Sequence, residues 1–455
     1  MFEACDMQDI RTKGNRFSWV GHTRDGVVEC CLDRVIANIE WRQAFPVSET
    51  EFLDLAESDH RPLMVSIEYE NRVKRGQFRY DKRLAQDEDF VHTVAHFWSN
   101  TNHINPQFSS KLKLCRREMA KWKRSHRFNA AEDIQTIRCQ LDIALRDPNR
   151  AAWEIRKLRS DLNQAFHNEE VFWKLKSRNK WLQVGDRNTA YFHGVTKARK
   201  QRTCIKQVTD EAGIVHTKDG AIAKVAEEYF QQMFTASETL DIDDVIPVMD
   251  QRVTAAMNEC LLRPVIEMEI KEAVLSIGSD KAPSHDGYTA SFYQRFWEEI
   301  RSDLCLMVRK FFETRIMEPK VNHTQLCLIP KPAGGDKIAD YRPISLCTVS
   351  YKVISKLLVS RLQGILGSLI LESQAAFVPG RNISHNVLVA HELMHALKAK
   401  RNCAEQFIAI KTDISKAYDR VEWNFLEAVM KKMGFAEQWI TWVMACVRSV
   451  SFSMW

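Results

Sequence analysis

The residue in this sequence best placed to do chemistry is Asp413. It closes an apolar, β-type run in the segment FIAIKTDISKAYDRVEWNFL (407–426), and a helical pattern begins a few residues later. A carboxylate at a strand end is held rigidly at a sheet edge. Nucleotidyl transfer by two metal ions needs such carboxylates, because Mg²⁺ takes hard oxygen ligands fixed against the attacking and leaving oxygens. A strand-ending turn Asp has the same spacing, so the pattern alone leaves both readings open. Asp419 and Glu422 stand three apart before the helical pattern, which fits an N-cap and its capping-box partner better than a second catalytic acid. A weaker signal is Ser-Asp-His at 58–60, where a loop His is the ordinary reading.

Charge is unevenly placed along the chain. The net charge is only +6, but residues 111–127 hold eight Lys/Arg against one Glu, and residues 173–206 hold ten against one Asp. Trp173, Trp181, Tyr191 and Phe192 are interleaved with the second run. Basic helices with aromatics suit a nucleic-acid backbone with stacked bases, and they equally suit a solvated helix face over core aromatics.

The elements that must position these groups are read from periodicity. Residues 17–20, 32–37 and 62–69 read as short strands between Gly- and Asp-bearing turns, too little sheet to close a sandwich. From about 107 to 177 the pattern is helical. Ile134, Ile137, Leu141 and Leu145 precede an Asp-Pro-Asn break at 147–149, and Ile155, Leu158, Leu162 and Phe166 follow it, which predicts an antiparallel helical hairpin with a narrow seam. A further helix over 222–234 carries Ile222, Val225, Tyr229 and Phe230 on one side and ends at an acidic linker, SETLDIDD. From about 261 helices alternate with short strands, including 326–330 and 407–413.

Composition excludes several classes. No apolar stretch of about 18 residues occurs and the N-terminus has no signal-peptide pattern, so the expectation is an intracellular protein, nuclear or cytoplasmic, without a membrane partner. The 12 cysteines form no CxxC pair, which argues against a zinc knuckle or a disulfide framework.

The segments just quoted resemble LINE-type (non-LTR) retrotransposon polyproteins, most closely those of plants, over nearly the whole chain. Asp413 followed five residues later by Tyr418 is similar to the family's first catalytic motif, and the resemblance makes Asp413 a metal ligand and sets Tyr418 under the incoming sugar, where it excludes a 2′-OH. LIPKPAGGDKIADYRPISLCTVSYKVISKLL (328–358) resembles the fingers hairpin, with Gly334 and Gly335 at the turn and with Lys331 and Arg342 reaching the triphosphate. SQAAFVPGRNISHNVLVAHEL (373–393) resembles the segment before the catalytic strand, with Gly380 and Arg381 in a turn near the template.

Nearer the front, LDRVIAN (32–38) and ESDHRPLMV (57–65) resemble the last strands of the endonuclease/exonuclease/phosphatase fold. The resemblance gives His60 the scissile phosphate, Asp59 a metal or water, and Asp33 the orientation of His60. Residues 177–208 resemble the extension that precedes the polymerase, with Lys197, Arg199, Lys200 and Arg202 as candidate nucleic-acid contacts.

The resemblance implies an α+β multidomain chain: a partial endonuclease β-sandwich edge at 1–72, a basic helical linker at 73–260, and partial reverse transcriptase fingers and palm at 261–455. Its cofactor would be Mg²⁺ and its partners an RNA template and a DNA primer or target. Two departures matter. The family's KAPGPDG loop reads KAPSHDG at 281–287, which suggests a relaxed copy or tolerance at an exposed loop. The chain also stops at SFSMW (451–455), where the family continues into a template grip and the F/YADD hairpin, and the one Asp-Asp pair, Asp243-Asp244, lies in the acidic linker. The expectation is a catalytically incomplete polymerase piece, with a non-catalytic nucleic-acid-binding remnant of a decayed element as the alternative. A group II intron maturase shares the palm motifs but would lack the Ser-Asp-His tail.

Overall fold

The computed structural model describes residues 7–10, 12–14, 17–23, 26–45, 48–53, 58–67, 78–101, 107–126, 130–146, 150–177, 192, 196, 199, 203–236, 246, 249–331, 335–399, 408–414 and 416–454. Contacts divide the chain into two compact units. One is Met1–Gln77, Lys123–Gln207 and Leu328–Arg342, and the other is Phe78–Trp122, Val208–Cys327 and Pro343–Trp455. Both mix helices with small sheets.

In the first unit, Trp19–Thr23 pairs antiparallel with Gly26–Cys30, and Glu49–Phe52 lies between Thr12–Gly14 and Leu63–Ser66. The alternation of Glu49–Phe52 buries Thr50 and Phe52, the period-2 signature of a half-covered strand. The strand expected over 32–37 shrinks to Ile36–Ala37. The cause is local: the amides of Leu32 and Asp33 donate to Ser18 Oγ at 2.9 and 2.8 Å, so they are not offered to a neighbouring strand.

The helical hairpin forms as the periodicity predicts, from Ala130–Arg146 and Ala152–Ser177. Ile134 is buried, and Ile137, Leu141, Ile155, Leu158, Leu162 and Phe166 are half-buried along the seam. Leu145 is the exception and stays exposed. The Asp-Pro-Asn break lies outside the described residues.

The second unit holds the larger core. Phe108–Ser125 buries Phe108, Leu112, Cys115, Met119 and Trp122, an i, i+4, i+7 stripe, within the aromatic cluster of Phe90, Trp98, Tyr288, Phe292, Tyr293 and Phe296. Trp297–Thr314 and Val349–Leu369 are the long helices of this core. The expected helix over 222–234 is Asp219–Phe234, with Ile222, Ala226 and Phe230 buried. A three-stranded sheet has the order Tyr341–Leu346, His323–Pro330, Ser451–Met454, with Leu328–Arg342 of its first two strands counted in the other unit. Its last two strands run parallel, with His323 opposite Ser451 and Leu326 opposite Met454.

No helix among the described residues is long and apolar enough to cross a membrane.

Candidate catalytic residues

The residues around His60 are assembled by backbone and side-chain bonds from three nearby segments. His60 Nδ1 lies 2.7 Å from Asp33 Oδ2, and Trp19 Nε1 donates to Asp59 Oδ2 at 2.8 Å. The backbone holds these in place: Val20 N donates to Asp59 O at 2.9 Å and Arg61 N to Ser18 O at 2.7 Å. The hydrogen bond that His60 donates to Asp33 raises the His60 pKa above its ordinary value, and the same bond holds the Asp33 carboxyl low. Asp59 is also held low, by the Trp19 indole. An imidazole tethered at one nitrogen by a carboxylate has its other nitrogen available for a proton at a phosphate oxygen. Sequence reasoning named Asp33, Asp59 and His60. It missed Ser18 and Trp19 as the residues that hold them, and the signal was there in Phe-Ser-Trp directly ahead of the turn.

The expected polymerase residues are placed differently. The strand expected to end on Asp413 does not form: residues 408–414 carry no strand, and Ile408, Ile410 and Ile414 are exposed along with Asp413. An extended run needs a neighbour to take its amides and carbonyls, and no strand among the described residues pairs with this one. Tyr418 is 74% exposed, its ring edge-on to Phe377 at 5.8 Å. The anchor of this region is Lys416, in left-handed backbone at φ 54°, whose ammonium donates to Tyr229 OH at 2.6 Å. The capping box is also corrected. Asp419 sits inside a short turn, Ala417–Arg420, and Glu422 is itself the N-cap of Trp423–Met433 without a side-chain cap bond.

The IPK and YRPIS segments form hydrogen-bonded strands, His323–Pro330 and Tyr341–Leu346, and Lys331 N donates to Asp340 O at 3.0 Å across their connection. That connection is too short for a parallel crossover, so the pair is a hairpin. Gly335 has a packing reason, since a Cβ there would stand 1.9 Å from Asp340 Oδ2. Gly334 lies outside the described residues. Lys331 Nζ donates to Ala339 O at 3.1 Å, and Arg342 is exposed. Arg381 is held by main-chain carbonyls. Its guanidinium donates to the carbonyls of Leu371, Gln374, Ile370 and Gly367, closing the end of the helix Val349–Leu369.

Two positions read as surface turn out to be core. Ser284 of KAPSHDG is 3% exposed and donates to Leu346 O at 2.5 Å, so the Ser-His replacement is built into packed structure and not into an exposed loop. Gly287 has φ 81°, and a Cβ there would meet Phe78 O at 2.2 Å. Lys111 of the first basic run is 3% exposed and ion-paired with Asp303 at 2.8 Å, so it is withdrawn from any surface interaction. Of the second run, Arg199 is exposed, while Lys197, Lys200 and Arg202 lie outside the described residues, as do Asp243 and Asp244.

Asp413 offers one carboxylate, and no group of three His, Cys, Asp or Glu side chains among the described residues could hold a metal.

Residues 329–454 match the reverse transcriptase (RNA-dependent DNA polymerase) family, a span that opens within the hairpin of His323–Pro330 and Tyr341–Leu346 and runs through Asp413 to the parallel strand. Over that span the chain is similar to reverse transcriptases. It is 24% identical over 386 residues to the transposon TX1 uncharacterized 149 kDa protein of Xenopus laevis, covering 81% of this chain and 29% of that protein. A probable RNA-directed DNA polymerase from transposon BS of Drosophila melanogaster is 23% identical, over 63% of this chain and 31% of its own length. The Pol polyprotein of the type-1 retrotransposable element R2 of Bradysia coprophila is 27% identical, over 51% of this chain and 27% of its own. The chain thus spans less than a third of the length of these relatives. The reverse transcriptase family generally uses a divalent metal ion.

Proposed function

We propose that this chain is part of a plant-type LINE polyprotein whose activity is RNA-directed DNA synthesis on an RNA template and a DNA primer. The observation that carries the proposal is the match over 329–454, whose first residues are those of the hydrogen-bonded hairpin. In this reading residues 261–455 supply fingers and the first half of a palm. Lys331 and Arg342 serve the triphosphate, Tyr418 the sugar, Asp413 one of the metal ions, and Arg381 the shape of the turn near the template. Residues 73–260 form a basic extension that carries RNA, with Lys197, Arg199, Lys200 and Arg202 among its contacts. Residues 1–72 are the last strands of an endonuclease/exonuclease/phosphatase domain. The tethered imidazole of His60, 2.7 Å from Asp33, supports that assignment.

A second reading, a non-catalytic nucleic-acid-binding remnant, is favoured by one observation: Asp413 stands exposed with no second and third carboxylate grouped around it among the described residues. One experiment separates the two. The 455-residue chain is given a primed RNA template with each dNTP and Mg²⁺ or Mn²⁺, and binding and extension are followed together. Salt-sensitive binding without extension is expected, because counterion release drives the first and the donor set cannot support the second. Metal-dependent extension would overturn the single-carboxylate reading, and no binding at about 50 mM salt would remove the nucleic-acid assignment altogether.

A further inference from the structure

The second unit contains a cavity of about 170 Å³ at the base of the Ser284–His285–Asp286 loop, lined in part by the basic extension assigned above, on which reading the inference rests, and apart from the residues given to the triphosphate, sugar and metal. Its walls come from the basic helix Phe108–Ser125, the loop itself, the turn at Lys320 and the start of Val349–Leu369. Lys113, Arg116 and Lys320 all line it, and none of the three makes an ion pair among the described residues. Among the described residues Arg116 donates one long hydrogen bond, 3.5 Å from Nη1 to Asp286 O, and lies 6.0 Å from the Phe78 ring.

The other polar groups are already engaged. Thr348 donates to Val321 O at 2.6 Å, and Ser350 is bonded to Tyr293 OH at 2.8 Å. Of the carboxylates, Glu318 accepts from the first amides of the basic helix, Ser109 N at 2.7 Å, while Asp286 itself lines the cavity, accepts from Tyr288 N at 3.1 Å and feels the charge of Arg116. What remains on offer is a set of cationic donors around a concavity, where low-dielectric walls concentrate their field. A second observation marks the same place: Lys320 is a non-glycine residue in left-handed backbone, φ 69°. Strain of that kind persists where the surrounding structure imposes it, and it clusters at ligand-binding positions.

We propose that this cavity is a phosphate-binding subsite, in which Arg116 grips two oxygens of the group while Lys113 and Lys320 neutralise it from the rim. The planar guanidinium matches phosphate geometry and the two ammonium groups act as point charges. His285 supplies a reporter. Burial, His323, Arg116 and Lys320 all disfavour its charged form and keep its pKa below the ordinary value, so an anion placed among them moves it upward. The chemistry is shared by a nucleic-acid backbone and by the phosphates of a free nucleotide.

The test uses the full chain. Inorganic pyrophosphate, dATP and a single-stranded RNA 20-mer are each titrated while the His285 imidazole is followed by NMR. An upward shift with all three is expected. If dATP acts at much lower concentration than the RNA the source is a nucleotide, and the reverse order assigns the backbone. Lys320→Gly is the informative variant, since glycine adopts φ 69° freely and only the charge and its stem are removed. It should keep or raise Tm and weaken pyrophosphate binding roughly tenfold, as expected for one lost charge-assisted bond. Arg116→Gln should weaken it further. A His285 titration unmoved by saturating pyrophosphate, or equal affinity in wild type and Lys320→Gly, would overturn the proposal.

Discussion

The surroundings of His60 and of Asp413 make an instructive pair, because both were picked out by motif and only one is assembled. Around His60 the groups are held by side-chain partners 14 to 40 positions away: Ser18 takes the amides of residues 32 and 33, Trp19 takes Asp59, and Asp33 takes the imidazole. Around Asp413 the motif consists of an extended apolar run, and such a run is positioned only by neighbouring strands. The difference is one of what each site requires. A cluster tied by side chains of adjacent turns forms wherever those turns form, while a strand-borne carboxylate is as ordered as the sheet it joins.

The contrast can be broken from the ordered side first. Ser18→Ala removes one acceptor that serves two amides, and should cost about 1–3 kcal/mol of stability and loosen the Asp33–His60 contact. A denaturation midpoint equal to wild type would mean that the turn is held by something else.

Hydrogen exchange addresses both sides at once. The Val20 and Arg61 amides, bonded at 2.9 and 2.7 Å, should exchange at least about a hundredfold more slowly, relative to their intrinsic rates, than those of Ile408 and Ile410. Comparable protection would show that the 408–414 run has found a partner.

Next in size is a titration. Asp33→Asn removes the main cause of the raised His60 pKa, which should fall toward about 6.5, as read from the imidazole protons. The sign of the linkage follows. The raised His60 contributes stability below its unfolded pKa and loses it as pH climbs through the folded value, and the lowered Asp33 contributes above its own and loses it as pH drops. Wild type should therefore be most favoured over Asp33→Asn in the mildly acidic window between the two, and the gap should narrow as pH climbs through the folded His60 value. A gap independent of pH would assign the effect to packing.

The smallest effect is expected from Asp413→Asn, within about 0.5 kcal/mol of wild type, because the side chain is exposed and outside any sheet. A larger loss would show that the carboxylate is engaged.

What was legible in the sequence was what depends on near neighbours. Ile134 to Phe166 announced a two-helix seam because the 3.6 period is a local property, and the IPK and YRPIS segments announced strands joined by a turn. What stayed hidden depended on remote chain. Ser451–Met454 becomes a strand because His323–Pro330 lies beside it, with His323 bonded to Ser451 Oγ at 2.9 Å and Ser453 Oγ at 3.0 Å. Nothing in Ser-Phe-Ser-Met hints at that partner. The depth of Ser284 was hidden for the same reason, since its acceptor is the carbonyl of Leu346. Lys111 was misread because a run of like charges suggests a surface, and the Asp303 that pulls it inward is 192 positions away.

Arg381 carries a lesson about substitution. Its one guanidinium serves four carbonyls at the end of Val349–Leu369, which an ammonium with three donors on a flexible stem could not do in a single geometry. An Arg-to-Lys exchange there, the mildest swap by charge, should be among the less tolerated in the segment. Mutational intolerance at this position would then measure the cost of an unfinished helix end, and a survey that scored it as proof of template contact would be counting carbonyls as nucleotides.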